Sequence, residues 1–198
     1  NGSDKGRIYR ITPKGGLPMQ WMNQLQLSKK SDLELVELLA NENIWYRRTA
    51  QRLLFQRKTK ATGALHKLAI RSHSAEARVH ALWLLEGLGQ SRAEDLVANL
   101  QHPEAGLREN ALKISENHPE WANALAAHIL ARQKDPSPRV RFQMLNTLGI
   151  LKGIPGSNAA KINVLERDIE DHWVQLALIA ASAGEEMQLL KSAAKKFG

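Results

Sequence analysis

The sequence predicts an all-α protein: a right-handed α-α superhelix of about five stacked helical hairpins plus part of a sixth, in the manner of an armadillo-type solenoid. Three observations predict it. A short segment recurs at a steady spacing along most of the chain, apolar residues fall at helical intervals on both sides of each recurrence, and turn-forming residues separate the units.

The recurring segment appears as Ile44–Ala50, Ala75–Ala81, Ala105–Ala111, Pro138–Met144 and Asp171–Ala177. In the first four an arginine stands three residues before a small or apolar residue: Arg47, Arg78, Arg108 and Arg141. The fifth places Val174 in the arginine slot, giving spacings of 31, 30, 33 and 33 residues. A period of that size is one helix–turn–helix unit. The second helix of each pair carries apolar residues such as Leu53 and Leu54, Leu82 and Leu85, Leu112 and Ile114, and Leu145 and Leu148. The first helices carry Leu33 to Leu39, Leu65 and Leu68, Leu96 and Leu100, Leu125 and Ile129, and Ile162, Leu165 and Ile169. Gly87, Gly89, Gly149 and Gly153-Ile-Pro-Gly156 read as stops between hairpins. His102-Pro103 and Asp135-Pro-Ser-Pro138 read as the turns within them, where proline opens a helix. Glu185 to Lys196 reads as the first helix of a further unit. A single hairpin of this kind cannot bury its apolar face alone, so the units must stack. Arg47, Arg78, Arg108 and Arg141 are expected to be structural, bridging to acids or turn carbonyls of an adjacent HEAT-like unit.

The first thirty residues break the pattern. Gly6 to Thr12 is β-prone and ends at Pro13-Lys-Gly-Gly16. Leu17 to Ser28, with Met19, Trp21, Met22, Leu25 and Leu27, reads as a capping helix. The chain therefore divides into residues 1–30, a remnant of an upstream domain with its cap, and residues 31–198, the repeat array. It opens without methionine and in mid-pattern, which suggests a piece of a longer gene product.

Composition narrows the chemistry. The chain has no cysteine, which excludes disulfides, zinc–thiolate sites and a cysteine nucleophile in these 198 residues. No apolar stretch is long enough for a membrane helix. The net charge of +8 is uneven: residues 1–71 hold 14 Lys/Arg against 5 Asp/Glu, and the remainder holds 14 against 15. A positive end can attract nucleic acid, anionic lipid or an acidic protein. Its densest part is Arg47, Arg48, Arg52, Arg57, Lys58 and Lys60, beside Trp45 and Tyr46. This is the candidate partner- or anion-binding patch.

No nucleophile elbow, phosphate loop, zinc-helix motif or calcium loop occurs. His66, His73 and His80 recur every seven residues but fall on a helix, a turn and another helix with no carboxylate set around them, so they read as ordinary histidines. No catalytic, metal or cofactor site is expected.

The order Gly6-Arg-Ile-Tyr-Arg-Ile11, Trp45-Tyr-Arg-Arg-Thr-Ala-Gln-Arg-Leu-Leu54, Val79-His-Ala-Leu-Trp-Leu-Leu-Glu-Gly-Leu-Gly89, Arg139-Val-Arg-Phe-Gln143 resembles the HEAT-repeat segment of large bacterial membrane-bound dehydrogenases. In that family a β-propeller precedes the repeats and a c-type cytochrome often follows. The resemblance implies a spacer or docking module between an oxidising head and an electron acceptor, outside the cytoplasm. The function expected is accordingly a non-catalytic protein–protein interaction or scaffolding module whose partners are other proteins or neighbouring domains. The alternative is a basic HEAT-like solenoid that binds nucleic acid, as DNA glycosylases of this shape do. Against it, the positive charge fades after residue 71, and Trp45, Trp83 and Trp173 take different slots relative to the arginine, at −2, +5 and −1.

Overall fold

A computed structural model describes residues 13–16 and 26–197. The β-prone stretch and most of the expected capping helix lie outside the described residues. Of the latter, Leu27 and Ser28 fall in a short 3-10 turn, Leu27–Lys29, with Leu27 buried. Pro13 to Gly16 forms a tight turn closed by the Gly16 N–H on the Pro13 carbonyl.

The described residues form eleven α-helices and no strand. In chain order these are α1 (Asp32–Leu38), α2 (Ile44–Gln56), α3 (Thr62–Arg71), α4 (Ala75–Gly87), α5 (Ala93–Leu100), α6 (Ala105–Ser115), α7 (Ala122–Leu130), α8 (Pro138–Ile150), α9 (Ser157–Arg167), α10 (His172–Ala181) and α11 (Glu186–Phe197). Short 3-10 segments, Pro119–Trp121 and Ala131–Lys134, flank α7.

Local chemistry explains the helix starts. Ser31 and Glu34 form a reciprocal capping box at α1. Asn43, Ser74 and Asp171 cap α2, α4 and α10 through side-chain oxygens. Pro138 occupies the first turn of α8, where its missing N–H costs nothing.

Every pair of elements in substantial contact is adjacent or nearly adjacent in the chain. Each odd helix packs on the even helix that follows it in α1–α2, α3–α4, α5–α6 and α9–α10, while α7 touches α6 and the 3-10 segment leading into α8. Even helices also touch even ones along α2, α4, α6, α8 and α10, and odd helices touch odd ones along α1, α3, α5 and α7 and again between α9 and α11. One continuous apolar core results, running from Leu27 to Leu178. Leu35, Leu54, Leu65, Leu85, Leu96, Leu112 and Ile114 are among its fully buried members. Burial of each such side chain contributes about 1.5–3 kcal/mol, which supplies most of the driving force for stacking.

Several element-level expectations are corrected. Leu33 faces solvent rather than the core, and Ile169 lies past the end of α9, also exposed. Gly149 is not a stop: it sits inside α8, where a Cβ would stand 2.7 Å from the Ala181 Cα. The glycine lets α8 and α10 meet backbone to backbone.

Candidate interaction surface

The site is built on one recurring turn. In each hairpin the residue six positions before the repeated arginine turns the chain into the even helix, and its side chain accepts the main-chain N–H two residues on. Asn41 does this for Asn43, Ser72 for Ser74, His102 for Glu104 and Asp135 for Ser137. The arginine then folds back and donates to the carbonyl of that same residue. Arg47 reaches the Asn41 carbonyl at 2.7 Å, Arg78 the Ser72 carbonyl at 2.6 Å, and Arg108 and Arg141 the His102 and Asp135 carbonyls at 2.7 Å. These carbonyls belong to the arginine's own hairpin and not, as expected, to an adjacent unit. What reaches the next unit is the carboxylate pairing: Arg108 with Asp135, and Arg141 with Asp168. Arg47 and Arg78 have no acid at the corresponding position.

The fifth unit is re-registered by this geometry. Val174 does not occupy the arginine slot. Gln175 does, donating its side-chain amide to the Ile169 carbonyl six residues earlier at 2.6 Å. Val174 is buried in the preceding slot, alongside Tyr46, Ala77, Leu107 and Val140. The final spacing is therefore 34 residues, and Trp173 stands at −2, the same slot as Trp45. Both indoles are exposed, 48% at Trp45 and 68% at Trp173.

Of the six cations proposed as a patch, the structure does not keep all together. Arg47 is held by the Asn41 and Glu42 carbonyls, beside the inter-helix turn. Arg57 is tied to Asp32 and to the carbonyls of Ser28 and Lys30, clamping α2 to the segment before α1. Both guanidiniums are thus engaged within the chain. Arg48 and Arg52 lie exposed on α2 facing α4, and have no ion-pair partner among the described residues. Lys58 and Lys60 lie in the loop that follows. Lys58 adopts positive φ there, the conformation that turns the chain sharply out of α2.

Across the even helices the outward face changes character. Between α2 and α4 a shallow groove is lined by Arg48, Gln51, Arg52, Phe55, Trp83 and Gly87. Polar bonds stitch the neighbouring helices: His80 to Gln51 at 2.6 Å, and the Trp83 indole N–H to Asn110 at 2.7 Å. Burial, with the Arg47 and Arg48 charges, pushes the His80 imidazole below its usual range, so it is neutral near pH 7. Farther on, Glu109 is neutralised by Lys113 and Arg139. The α10 end presents Trp173, Leu176 and Ile179, an exposed apolar stripe.

The three histidines at seven-residue spacing separate. His66 is buried on α3, bonded to Asp95 of α5 at 2.6 Å, His73 sits in a turn, and His80 lies on the even face. Burial raises the Asp95 carboxyl against the opposing pull of His66, as for a core hydrogen-bonded pair. Among the described residues no three histidine or carboxylate side chains gather as a metal site, and no helix is long and apolar enough to cross a membrane.

No protein-family model matches the chain, and no curated protein matches it with significance.

Proposed function

We propose that this chain is a non-catalytic protein-interaction module, a right-handed HEAT-like solenoid segment whose even-helix face holds a partner protein or a neighbouring domain. The observation that carries the reading is the side-by-side packing of α2, α4, α6, α8 and α10, each entered through a turn clasped by an arginine or, at α10, by Gln175. Rigid stacking of this kind creates an extended surface with no single deep pocket, the geometry of a binding scaffold. Exposed tryptophans at its two ends are the residue type that dominates protein interfaces. On the resemblance of its motifs, the module serves as a spacer within a larger, extracytoplasmic dehydrogenase-like protein.

Nucleic acid fits the same face less well. The cations of this face that have no ion-pair partner among the described residues stand on α2 and its following loop, Glu109 offsets Lys113 and Arg139, and the α10 end is apolar. A duplex cradle needs positive charge along its whole length.

The test is photo-crosslinking in the native cell from a benzophenone side chain placed at Phe142 or Trp173, with Lys67 on α3 as the control. Protein crosslinks from the even positions alone are expected. Crosslinks to nucleic acid, or none from either face, overturn the reading. Duplex DNA anisotropy at physiological salt provides the independent check, and binding that survives there favours the nucleic-acid alternative.

A further inference from the structure

The groove between α2 and α4 does not end at the C-terminus of α2. Phe55 and Gly87, which form its far end, also begin a second depression lined by Gln56, Lys58, Thr59, Lys60, Thr62, Leu88 and Gln90. The two depressions adjoin at Phe55 and Gly87, which border both, and end to end they make the trough. Its cations are Arg48 and Arg52 on one side of Phe55 and Lys58 and Lys60 on the other, and among the described residues no acid lines either half. In a chain with 20 Asp/Glu this is a distinctive local field. Of the acids around it, Asp32 is engaged by Arg57 and Thr59, Glu86 accepts from Ser91, Asn117 and His118, and Glu76 lines a separate depression with Arg47 and His80.

The floor is apolar and specifically shaped. Phe55 is half exposed although it is aromatic, and its ring lies over Gly87, where a Cβ would approach Phe55 Cε2 to 3.0 Å. Trp83 and Leu84 continue the floor on α4. A surface with an aromatic floor and cations along both halves of its length complements a chain of opposite pattern.

We propose that this trough binds an acidic peptide segment of a protein partner, with Asp/Glu side chains paired to Arg48, Arg52, Lys58 and Lys60 and an apolar anchor seated on Phe55 and Trp83. The proposal rests on the interaction-module reading and names its partner class. Arginines bind carboxylates through two parallel N–H bonds, which gives orientation as well as attraction. The apolar anchor discriminates such a segment from a merely acidic one.

The experiment is fluorescence anisotropy on the whole chain at physiological salt. The probe is a short fluorescein-labelled peptide of glutamates flanking a central Phe-Leu pair, compared with an all-glutamate peptide and with oligothymidine. Saturable binding of the mixed peptide is expected, weakened at least about tenfold in the Arg48→Glu/Arg52→Glu variant. Gly87→Ile, which fills the floor without altering charge, is expected to weaken it too. Lys191→Glu/Lys195→Glu on α11, with the same change in net charge, is expected to leave it intact. Helical circular dichroism confirms that each variant folds. Equal binding of the all-glutamate peptide, equal loss in the α11 variant, or tighter binding of oligothymidine overturns the proposal. So does absence of mixed-peptide binding; protein crosslinks from Phe142 and Trp173 would then preserve the module and remove only the trough.

Discussion

Arg108 and Asp135 form a bidentate pair across two hairpins, with Nε and Nη2 each 2.7 Å from one carboxylate oxygen and both side chains almost wholly buried. The same aspartate gives its main-chain carbonyl to Arg141, whose guanidinium goes on to Asp168. Three consecutive units are thus joined through one residue. Removing the arginine alone leaves the buried carboxylate only the Ser137 N–H and a longer contact to Arg132 at 3.3 Å, a loss that costs up to about 3–5 kcal/mol. Arg108→Ala is expected to lower the urea midpoint strongly. Arg47→Ala, whose partners are carbonyls near the surface, is expected to cost less, about 1–2 kcal/mol.

The pair also sets an acid limit. Burial pushes the Asp135 carboxyl up, but hydrogen bonds from Arg108 and the Ser137 N–H outweigh it and hold the group below its ordinary range. A carboxylate depressed in the folded state contributes stability above its unfolded pKa and loses it as pH falls through the folded one. Acid unfolding of the native chain is therefore expected to begin below about pH 4 at this site. In the Asp135→Asn variant that acid-linked loss should shrink, read as a flatter stability profile across the same range.

His118 carries the opposite sign. Burial lowers its pKa, but bonds to Glu86 at 2.8 Å and Glu120 at 3.0 Å raise it further than burial lowers it. The ring stacks on Trp121 at 3.8 Å, so the latch joins the end of α4 to the α6–α7 loop. A raised histidine stabilises fully below its unfolded pKa of about 6.5 and stops doing so as pH rises through the folded value. Amide exchange in the α4–α5 loop should therefore quicken as pH is raised past neutrality, beyond the intrinsic rate, and His118→Gln should abolish that excess. The partial exposure of His118 limits the effect on stability to about 1 kcal/mol.

Leu82, Leu112, Leu145 and Ile179 share one slot, four residues after Arg78, Arg108, Arg141 and Gln175. The three leucines are at most 2% exposed, whereas Ile179 is 65% exposed, and among the described residues no even helix follows α10. Leu145→Ala is expected to cost about 2–5 kcal/mol in chemical denaturation, and Ile179→Ala less than about 0.5. Comparable losses would mean that the α10 face is covered in solution, and a concentration-dependent midpoint would identify self-association.

The two interhelical glycines should respond differently to alanine. At Gly149 the new methyl meets the backbone of Ala181, and separating α8 from α10 costs about 1–3 kcal/mol. At Gly87 it meets only the movable ring of Phe55, and the better helix propensity of alanine offsets the contact. Thermal unfolding of the two variants distinguishes them directly.

The helical units were legible because burial on one stripe forces a period, and Ala50, Ala81, Ala111 and Met144 keep that period in plain view. Gln175 was not legible as the fifth clasp. Its amide reaches the same carbonyl as an arginine, but without charge it carries no distinguishing mark in the pattern, and the one-residue slip hid the shared slot of Trp45 and Trp173. Gly149 was misread for a related reason: a glycine that ends a helix and one that admits a neighbouring backbone look identical in sequence.

By itself the sequence determined the all-helical class, the hairpin period, the repeated arginines and the crowding of cations between Arg47 and Lys60. These depend on local propensity and on which residues must leave water. Only the tertiary structure decided which of those cations are engaged within the chain, since that depends on where the Asn41 and Ser28 carbonyls and the Asp32 carboxylate come to lie. It likewise decided that Phe55 and Gly87 border two adjoining depressions with no acid among their described lining residues. Hydrogen-bond partners distant in sequence are assigned by packing, and packing is a property of the whole stack.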